Sequence, residues 1–329
     1  MRIAILGAGG IGGYYGGLLA GAGHSVCLLA RGENLAVLRQ RGLEVRTPKE
    51  SFVVPVEASD GVSGFGPVDW AIVSVKTYSL PQIAQSAATL ARSGALILPL
   101  LNGVDIAERL IAHDVPKQNV LGGLTTLSAE RIHPGIFAAH GNIQKIVIGE
   151  FEWSTAVKNN GGGSDRVRDI AKAFQGAGVE ADISSDIHTE LWRKFAFLAP
   201  VAALCGLTRS PLGLVRATPL GRTLLERAIR EVVTVGRAHG VGFADDEVAR
   251  IIHFCDSLPE TNKPSLLRDL EAGRPTEIED LSGTVSRMAR IVAIDTPIHD
   301  IAWMAISASS GEEELASPAT IKPSGLPSL

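Results

Sequence analysis

The chain has 329 residues, of which 45% are hydrophobic and 20% are charged, and its net charge is −4 at neutral pH. This length suggests two domains, each large enough to bury its own core. The charge balance lacks the excess of lysine and arginine that binding to a run of phosphates requires, so we expect no nucleic-acid partner.

Cysteine and histidine are sparse and scattered. Cys27, Cys205 and Cys255 lie far apart among apolar residues, a setting that predicts reduced, buried thiols. The 8 histidines show no spacing typical of zinc ligands. We therefore predict neither a catalytic thiol nor a metal site.

The first half of the chain alternates short apolar runs with segments of helical periodicity. The apolar runs are RIAILG, SVCLLA, DWAIVSVK and ALILPLLNG, and helical patterns cover residues 11–22 and 79–92. Such alternation predicts a parallel sheet with helices on both faces, a doubly wound Rossmann-type α/β fold. VLGGLTTL, GIFAAH and KIVIGE, between residues 120 and 150, predict later strands, some of them antiparallel.

Strand signals cease after residue 185, and long helical patterns follow. We predict an α/β nucleotide-binding domain over residues 1–185, an all-α domain over residues 186–310 and a disordered tail over residues 311–329. The N-terminal run IAILGAGGIGGYYGGLLAGAG resembles a signal peptide, but its glycine density argues against a helical membrane insert. We expect a cytoplasmic protein without a membrane partner.

The first predicted strand leads into GAGGIG, residues 7–12, which matches the G-x-G-x-x-G pattern of dinucleotide-binding loops. Gly7 would permit the tight turn, Gly9 would let the backbone approach a pyrophosphate, and Gly12 would let helix and strand pack closely. Gly10 completes the loop. The pattern favours a dinucleotide site, and a glycine-rich helix packed tightly against a sheet is the alternative.

The second predicted strand ends at Arg31, whereas an NAD site typically has an acid at this point. A guanidinium can bind a 2′-phosphate through two parallel hydrogen bonds, which favours NADPH/NADP+ as cofactor. The alternative is a solvated Arg31 with Glu33 binding the ribose hydroxyls instead.

Three further polar residues lie where a ligand could bind. Lys76 and Asn102 follow two of the predicted strands at their carboxyl ends, although a solvated lysine and an Asn-Gly turn are the alternatives. Lys194 is the last charge before a long apolar helical run. It could pair with Glu190 one turn earlier, or face a cleft and donate a proton.

These segments together resemble the ketopantoate reductase family over nearly the whole chain. The resemblance is carried by GAGGIG with Arg31, the strand ending in Lys76, LLNGV around Asn102, ELWRK around Lys194, and PSLLRDLEAGRPTEIE from Pro264. It implies an NADPH-dependent reductase of a small-molecule 2-oxo acid, with 2-dehydropantoate reduced to pantoate in pantothenate biosynthesis as the first expectation.

The resemblance also implies roles for individual residues. Lys194 would be the general acid, Glu277 an active-site carboxylate near the nicotinamide ribose, Asn102 and Lys76 cleft residues that also meet the cofactor, Ser265 a substrate ligand, and Ala129 a residue at the cofactor. From the residues alone, Glu277 could instead lie in a capping box between Thr276 and Glu279, and Ser265 could be a helix N-cap.

The chain also departs from the family pattern, because Leu198, Ala202 and Leu212 stand where the family typically has asparagines. Their replacement predicts a more apolar pocket and leaves the substrate open. We hypothesise that Arg209 supplies lost carboxylate contacts, a solvated helix-end arginine being the alternative.

Two other functions are alternatives to this expectation, and the departures favour the first of them. One is a paralogue that reduces a less polar keto substrate, and the other is a non-catalytic NADPH sensor. A homodimer formed through the helical domain is expected by analogy alone.

Overall fold

The computed structural model describes residues 1–140, 144–153 and 163–310. Its strands are β1 (Arg2–Leu6), β2 (Ser25–Leu29), β3 (Leu43–Arg46), β4 (Ser51–Val54), β5 (Glu57–Ser59), β6 (Trp70–Val73), β7 (Leu96–Pro99), β8 (Leu121–Thr125), β9 (Ser128–His133), β10 (Ile136–His140), β11 (Lys145–Glu150) and β12 (Glu180–Ser184). The predicted disordered tail, residues 311–329, lies outside the described residues.

Helices connect several of these strands and form most of the chain after β12. They are α1 (Gly10–Gly21), α2 (Gly32–Arg41), α3 (Leu80–Arg92), α4 (Ile106–Ala112), α5 (Asp165–Gly176), α6 (Ile187–Thr208), α7 (Leu212–Ala217), α8 (Pro219–Ala238), α9 (Glu247–Ser257), α10 (Ser265–Glu271), α11 (Thr284–Ile291) and α12 (Pro297–Ser310). A π-helical turn, Glu279–Gly283, leads directly into α11.

The first sheet is entirely parallel, with strand order β5-β2-β1-β6-β7. Residues Ile3, Ala4, Ile5 and Leu6 of β1 are fully buried, as a strand covered on both faces must be. The chain runs from β1 toward one edge and from β6 toward the other, so the strand order reverses between them. The predicted Rossmann-type sheet is confirmed, and a ligand crevice is expected outside the carboxyl ends of β1 and β6.

Two smaller sheets complete this part of the chain, with orders β4-β3-β10-β9 and β12-β11-β8. The predicted antiparallel pairing occurs between β9 and β10 and between β8 and β11. Strands β3, β4 and β5 were not predicted. They are only 3 to 4 residues long, and prolines at positions 48 and 55 interrupt the pattern between them.

After β12 the described chain is helical, and α6 is its central element. This helix packs against α7, α8, α10 and α12, and its N-terminal part also contacts β8 and β11. Among the described residues it is the one helix long and apolar enough to cross a membrane, and most of that apolar stretch is buried inside the protein. Through α6 the helical part is joined to the sheets.

The cysteines are buried and unpaired. Burial raises the pKa of Cys27, Cys205 and Cys255 to about 12, the opposite of what a reactive thiol needs. The prediction of reduced, buried thiols is confirmed.

Candidate active site

The glycine loop between β1 and α1 packs against the end of β6. Gly7 has a φ of +115°, and a Cβ there would lie 2.7 Å from Val75 Cγ1. A Cβ at Gly12 would overlap Ser74 Oγ, whereas a Cβ at Gly9 would meet nothing closer than a carbonyl oxygen at 3.8 Å. Gly7 and Gly12 are therefore required by close packing, while the space beside Gly9 is open for a ligand to approach the backbone.

The first turn of α1 is suited to an anion. It carries no acidic residue, and its N-cap, Gly9, provides no side-chain hydrogen bond to the free amides. A Cβ on Gly10 would overlap the carbonyl oxygen of Ala129, so β9 lies directly against this helix terminus. The structure therefore brings Ala129 to the glycine loop.

Arg31 and Glu33 lie beyond the carboxyl end of β2, in the first turn of α2. Both side chains are exposed, and neither makes a hydrogen bond or ion pair within the described ranges. Sequence reasoning missed Asn34, whose buried amide donates to the carbonyl oxygen of Ala8 at 3.4 Å and accepts from the Gly135 amide at 2.8 Å. Asn34 thus fixes the start of α2 relative to the glycine loop.

Lys76 lies between two carboxylates from the helical part of the chain. Its Nζ is 2.8 Å from Asp269 Oδ2 and 3.1 Å from Glu277 Oε2. Burial acts to lower the pKa of Lys76, but the two carboxylates outweigh it and raise the pKa above its usual value. Arg274 also binds Asp269, at 2.8 Å. This cluster, Lys76, Asp269, Arg274 and Glu277, joins the end of β6 to α10 and the segment after it.

Glu277 is further bound by the residue after Lys76. Its Oε1 accepts from the amide of Thr77 and from the Thr77 hydroxyl, each at 3.1 Å. A capping box would need the Glu279 side chain to bond back to Thr276. Instead, the Glu279 side chain pairs with Arg287 and accepts a hydrogen bond from Trp303 Nε1 at 2.6 Å. Glu277 is therefore free of helix capping and held at the cleft.

Lys194 faces the cleft and does not pair with Glu190. Its Nζ donates to Asn102 Oδ1 at 3.1 Å, while Glu190 binds Arg193 at 2.9 Å. Burial lowers the pKa of Lys194 to about 8, and the negative charge of Glu277 offsets part of that shift. The ammonium is thus poised to give up a proton near neutral pH.

The space beside Lys194 is a small cleft that is partly open to solvent. It is lined by Leu101, Asn102, Gly103, Leu191, Lys194, Phe195 and Leu198. Of the three residues that replace family asparagines, Leu198 lines this cleft, whereas Ala202 and Leu212 are completely buried in the helical core.

The two remaining predicted substrate residues differ in position. Ser265 is the first residue of α10, after Pro264 as N-cap, and its hydroxyl has no hydrogen bond within the described segments. It lies one turn before Asp269 on the same helix face, toward the Lys76 cluster.

The structure does not bring Arg209 to the cleft. Arg209 caps the C-terminal end of α6, 15 residues after Lys194 (209 − 194), with a φ of +51°. That separation is about 22 Å along a helix axis. Its guanidinium donates to the Ser309 hydroxyl at 3.2 Å, which corresponds to the helix-end alternative.

The arrangement combines the glycine loop, a partly buried ammonium and a nearby carboxylate at the meeting point of sheet and helices. Within the described residues, no group of three His, Cys, Asp or Glu side chains is placed to hold a metal ion. The groups present suit hydride transfer to a carbonyl with protonation of the resulting alkoxide.

Comparison with known proteins covers most of the chain. Residues 3–153 match the family model "Ketopantoate reductase PanE/ApbA", and residues 186–310 match its C-terminal counterpart. A 2-dehydropantoate 2-reductase of Halobacterium salinarum is 33% identical over 303 residues, covering 91% of this chain and 95% of that protein.

Solved structures extend the likeness to three dimensions. The crystal structure of 2-dehydropantoate 2-reductase from Geobacter metallireducens covers 94% of this chain and 100% of that chain, with 29% identity and a TM-score of 0.83. A ternary structure of D-mandelate dehydrogenase with NADH and anilino(oxo)acetate has a TM-score of 0.84 at 22% identity and covers 95% of this chain and 99% of that chain. At that identity the second structure shows a shared fold alone.

Proposed function

The chain belongs to the ketopantoate reductase family of oxidoreductases, and from this premise we propose that it reduces a 2-oxo acid to a 2-hydroxy acid with NADPH. The observation that carries the proposal is the partly buried Lys194 ammonium, hydrogen-bonded to Asn102 and with its pKa lowered to about 8. A reductase needs a proton donor of this kind at the carbonyl oxygen.

The residues present fit a nicotinamide dinucleotide. The open space at Gly9 and the uncapped first turn of α1 suit a pyrophosphate, and Arg31 has an exposed guanidinium without a protein partner in the described ranges. Gly7, Gly9, Gly10 and Gly12 would hold the phosphates, and Arg31 would bind the 2′-phosphate. When bound, NADPH supplies the hydride that adds to the carbonyl carbon.

The chain's own residues then manage the proton and the developing charge. Lys194 stabilises negative charge on the carbonyl oxygen and transfers its proton there. Asn102 holds the ammonium in position through its amide oxygen. Glu277 keeps Lys194 charged and is itself held by Thr77 and Lys76.

Two substrates are candidates. The name and the 33% identity of the Halobacterium relative support 2-dehydropantoate, and with it a place in pantothenate biosynthesis. The mainly apolar lining of the cleft, Leu198 included, favours a less polar 2-oxo acid. Both substrates would be reduced by the same reaction, so one assay of NADPH oxidation tests the reaction class.

The test is NADPH oxidation by the purified protein with a panel of 2-oxo acids that includes 2-dehydropantoate. Replacing Lys194 with alanine should lower kcat by about 100-fold or more, because the proton donor is lost. Lys172→Ala, at an exposed lysine of α5, is the matched control and should leave kcat unchanged. Full activity of Lys194→Ala would contradict the proposed role of this residue.

A further inference from the structure

The cleft beside Lys194 offers a substrate very few polar partners. Of its seven lining residues, only Lys194 and Asn102 have polar side chains, and these two are hydrogen-bonded to each other. Both are engaged in the reaction at the carbonyl group. The other side chains that line the cleft, Leu101, Leu191, Phe195 and Leu198, present carbon atoms alone.

Leu198 occupies the position next to the ammonium. It follows Lys194 by one helical turn, so the two side chains cover neighbouring parts of the same face of α6. Phe197, beside Leu198 on α6, packs edge-to-face on Phe254 of α9 with ring centroids 4.9 Å apart, and Phe254 is 49% exposed. Leu198 and Phe197 therefore place apolar side chains on two neighbouring faces of α6, and of the two only Leu198 lines the cleft.

A hydroxyl placed against Leu198 would lose its hydrogen bonds to water, and the Leu198 side chain offers no hydrogen bond in return. An apolar group of the same shape loses nothing there and is removed from water. Two such substrates share the carbonyl group and the carboxylate. The enzyme would therefore discriminate between them through the rest of the carbon chain, which would meet Leu198.

We propose that the substrate is a 2-oxo acid whose carbon chain beyond the carbonyl is apolar and carries no hydroxyl group, and that Leu198 is a specificity-determining residue. This inference rests on the proposed 2-oxo acid reductase function and narrows its substrate class. It selects the second of the two candidates over 2-dehydropantoate.

A matched pair of compounds tests it. 2-Dehydropantoate and 3,3-dimethyl-2-oxobutanoate share one carbon skeleton and differ by a single hydroxyl group. With NADPH as cofactor, the unaltered protein should show a kcat/KM about tenfold or more higher for 3,3-dimethyl-2-oxobutanoate. This comparison requires no variant to fold.

Leu198→Asn then tests the residue. The amide should raise kcat/KM for 2-dehydropantoate relative to the hydroxyl-free compound by about tenfold, because it restores a hydrogen-bond partner. Leu220→Asn, at a leucine of α8 that is 69% exposed, is the matched control and should leave the ratio unchanged.

The possible outcomes separate the inference from the proposed function. A preference of the unaltered protein for 2-dehydropantoate, or no preference, would overturn the inference and leave the reductase function standing. An unchanged ratio in Leu198→Asn would overturn the role of Leu198. Failure to oxidise NADPH with either compound or with any 2-oxo acid of the panel would overturn the proposed function and the inference with it.

Discussion

Two features of the surroundings of Lys194 shift its pKa in opposite directions. Burial disfavours the ammonium, and the nearby Glu277 carboxylate favours it, leaving a pKa of about 8 against the usual 10.5. An acid with such a pKa remains mostly protonated at neutral pH yet releases its proton far more readily than a solvated lysine does. This pKa suits proton donation, and it depends on contacts that the sequence around Lys194 does not show.

A pH dependence follows from that value. Because the acid must be protonated for reduction, kcat/KM should be level below about pH 8 and should fall by about tenfold per pH unit above it. Steady-state rates measured across this range, with the nucleotide saturating, check the prediction. A profile that stays level up to about pH 10, the ordinary range for lysine, would contradict the lowered pKa.

We predict that Arg31 decides the choice between NADPH and NADH. Its replacement by alanine should lower kcat/KM for NADPH by about 10- to 100-fold, the effect of losing a charge-assisted contact with a phosphate, and should change the value for NADH little. Arg41→Ala, at an exposed arginine at the end of the same helix, is the control. Equal losses with both nucleotides would instead indicate that Arg31 does not read the 2′-phosphate.

At the scale of the elements, the sequence predicts the strands that lie in continuous apolar runs. The runs that became β1, β2, β6 and β7 are continuous and apolar because both faces of the parallel sheet are covered, and this pattern is visible without a structure. The glycine loop is predictable for the same local reason. Its spacing between a strand and a helix reflects backbone contacts that only glycine permits.

Short elements and distant contacts are less accessible to sequence reasoning. Strands β3 to β5 are too short to establish a period-two pattern, so only their pairing in the folded sheets identifies them. Asn34 has no local motif, since its partners Ala8 and Gly135 are 26 and 101 residues away. The distance between Arg209 and Lys194 follows from the length of α6, 22 residues, which places Arg209 at the far end of the helix from the cleft.

At the scale of the whole molecule, the candidate site is assembled from both parts of the chain. The glycine loop, Lys76 and Asn102 come from the sheet part, and Lys194, Asp269 and Glu277 come from the helical part. Lys76 and Glu277, joined at 3.1 Å, are 201 residues apart in sequence, so no local pattern could indicate their contact. Family resemblance, rather than residue chemistry, predicted that Glu277 belongs to the site.

Further contacts hold the sheet part and the helical part together near the cleft. Arg109 of α4 pairs with Asp280 at 2.6 Å and donates to the carbonyl oxygen of Thr77 at 3.3 Å. Asp280 lies in the π-helical turn that follows Glu277, an irregularity often found at functional sites. The Arg109 contacts with Asp280 and Thr77 therefore also help to hold Glu277 beside Lys76 and Thr77.

In the proposed reaction, the sheet part and the helical part cooperate in hydride transfer to a 2-oxo acid. The most direct measurement of this transfer uses NADPH carrying deuterium at nicotinamide C4, on one face at a time, with analysis of the product by mass spectrometry. We predict a 2-hydroxy acid with deuterium on C2 from one of the two labelled forms, and far less product with Lys194→Ala. Tight NADPH binding without any labelled 2-hydroxy acid would contradict the proposed reaction and indicate a protein that binds the nucleotide without reducing a substrate.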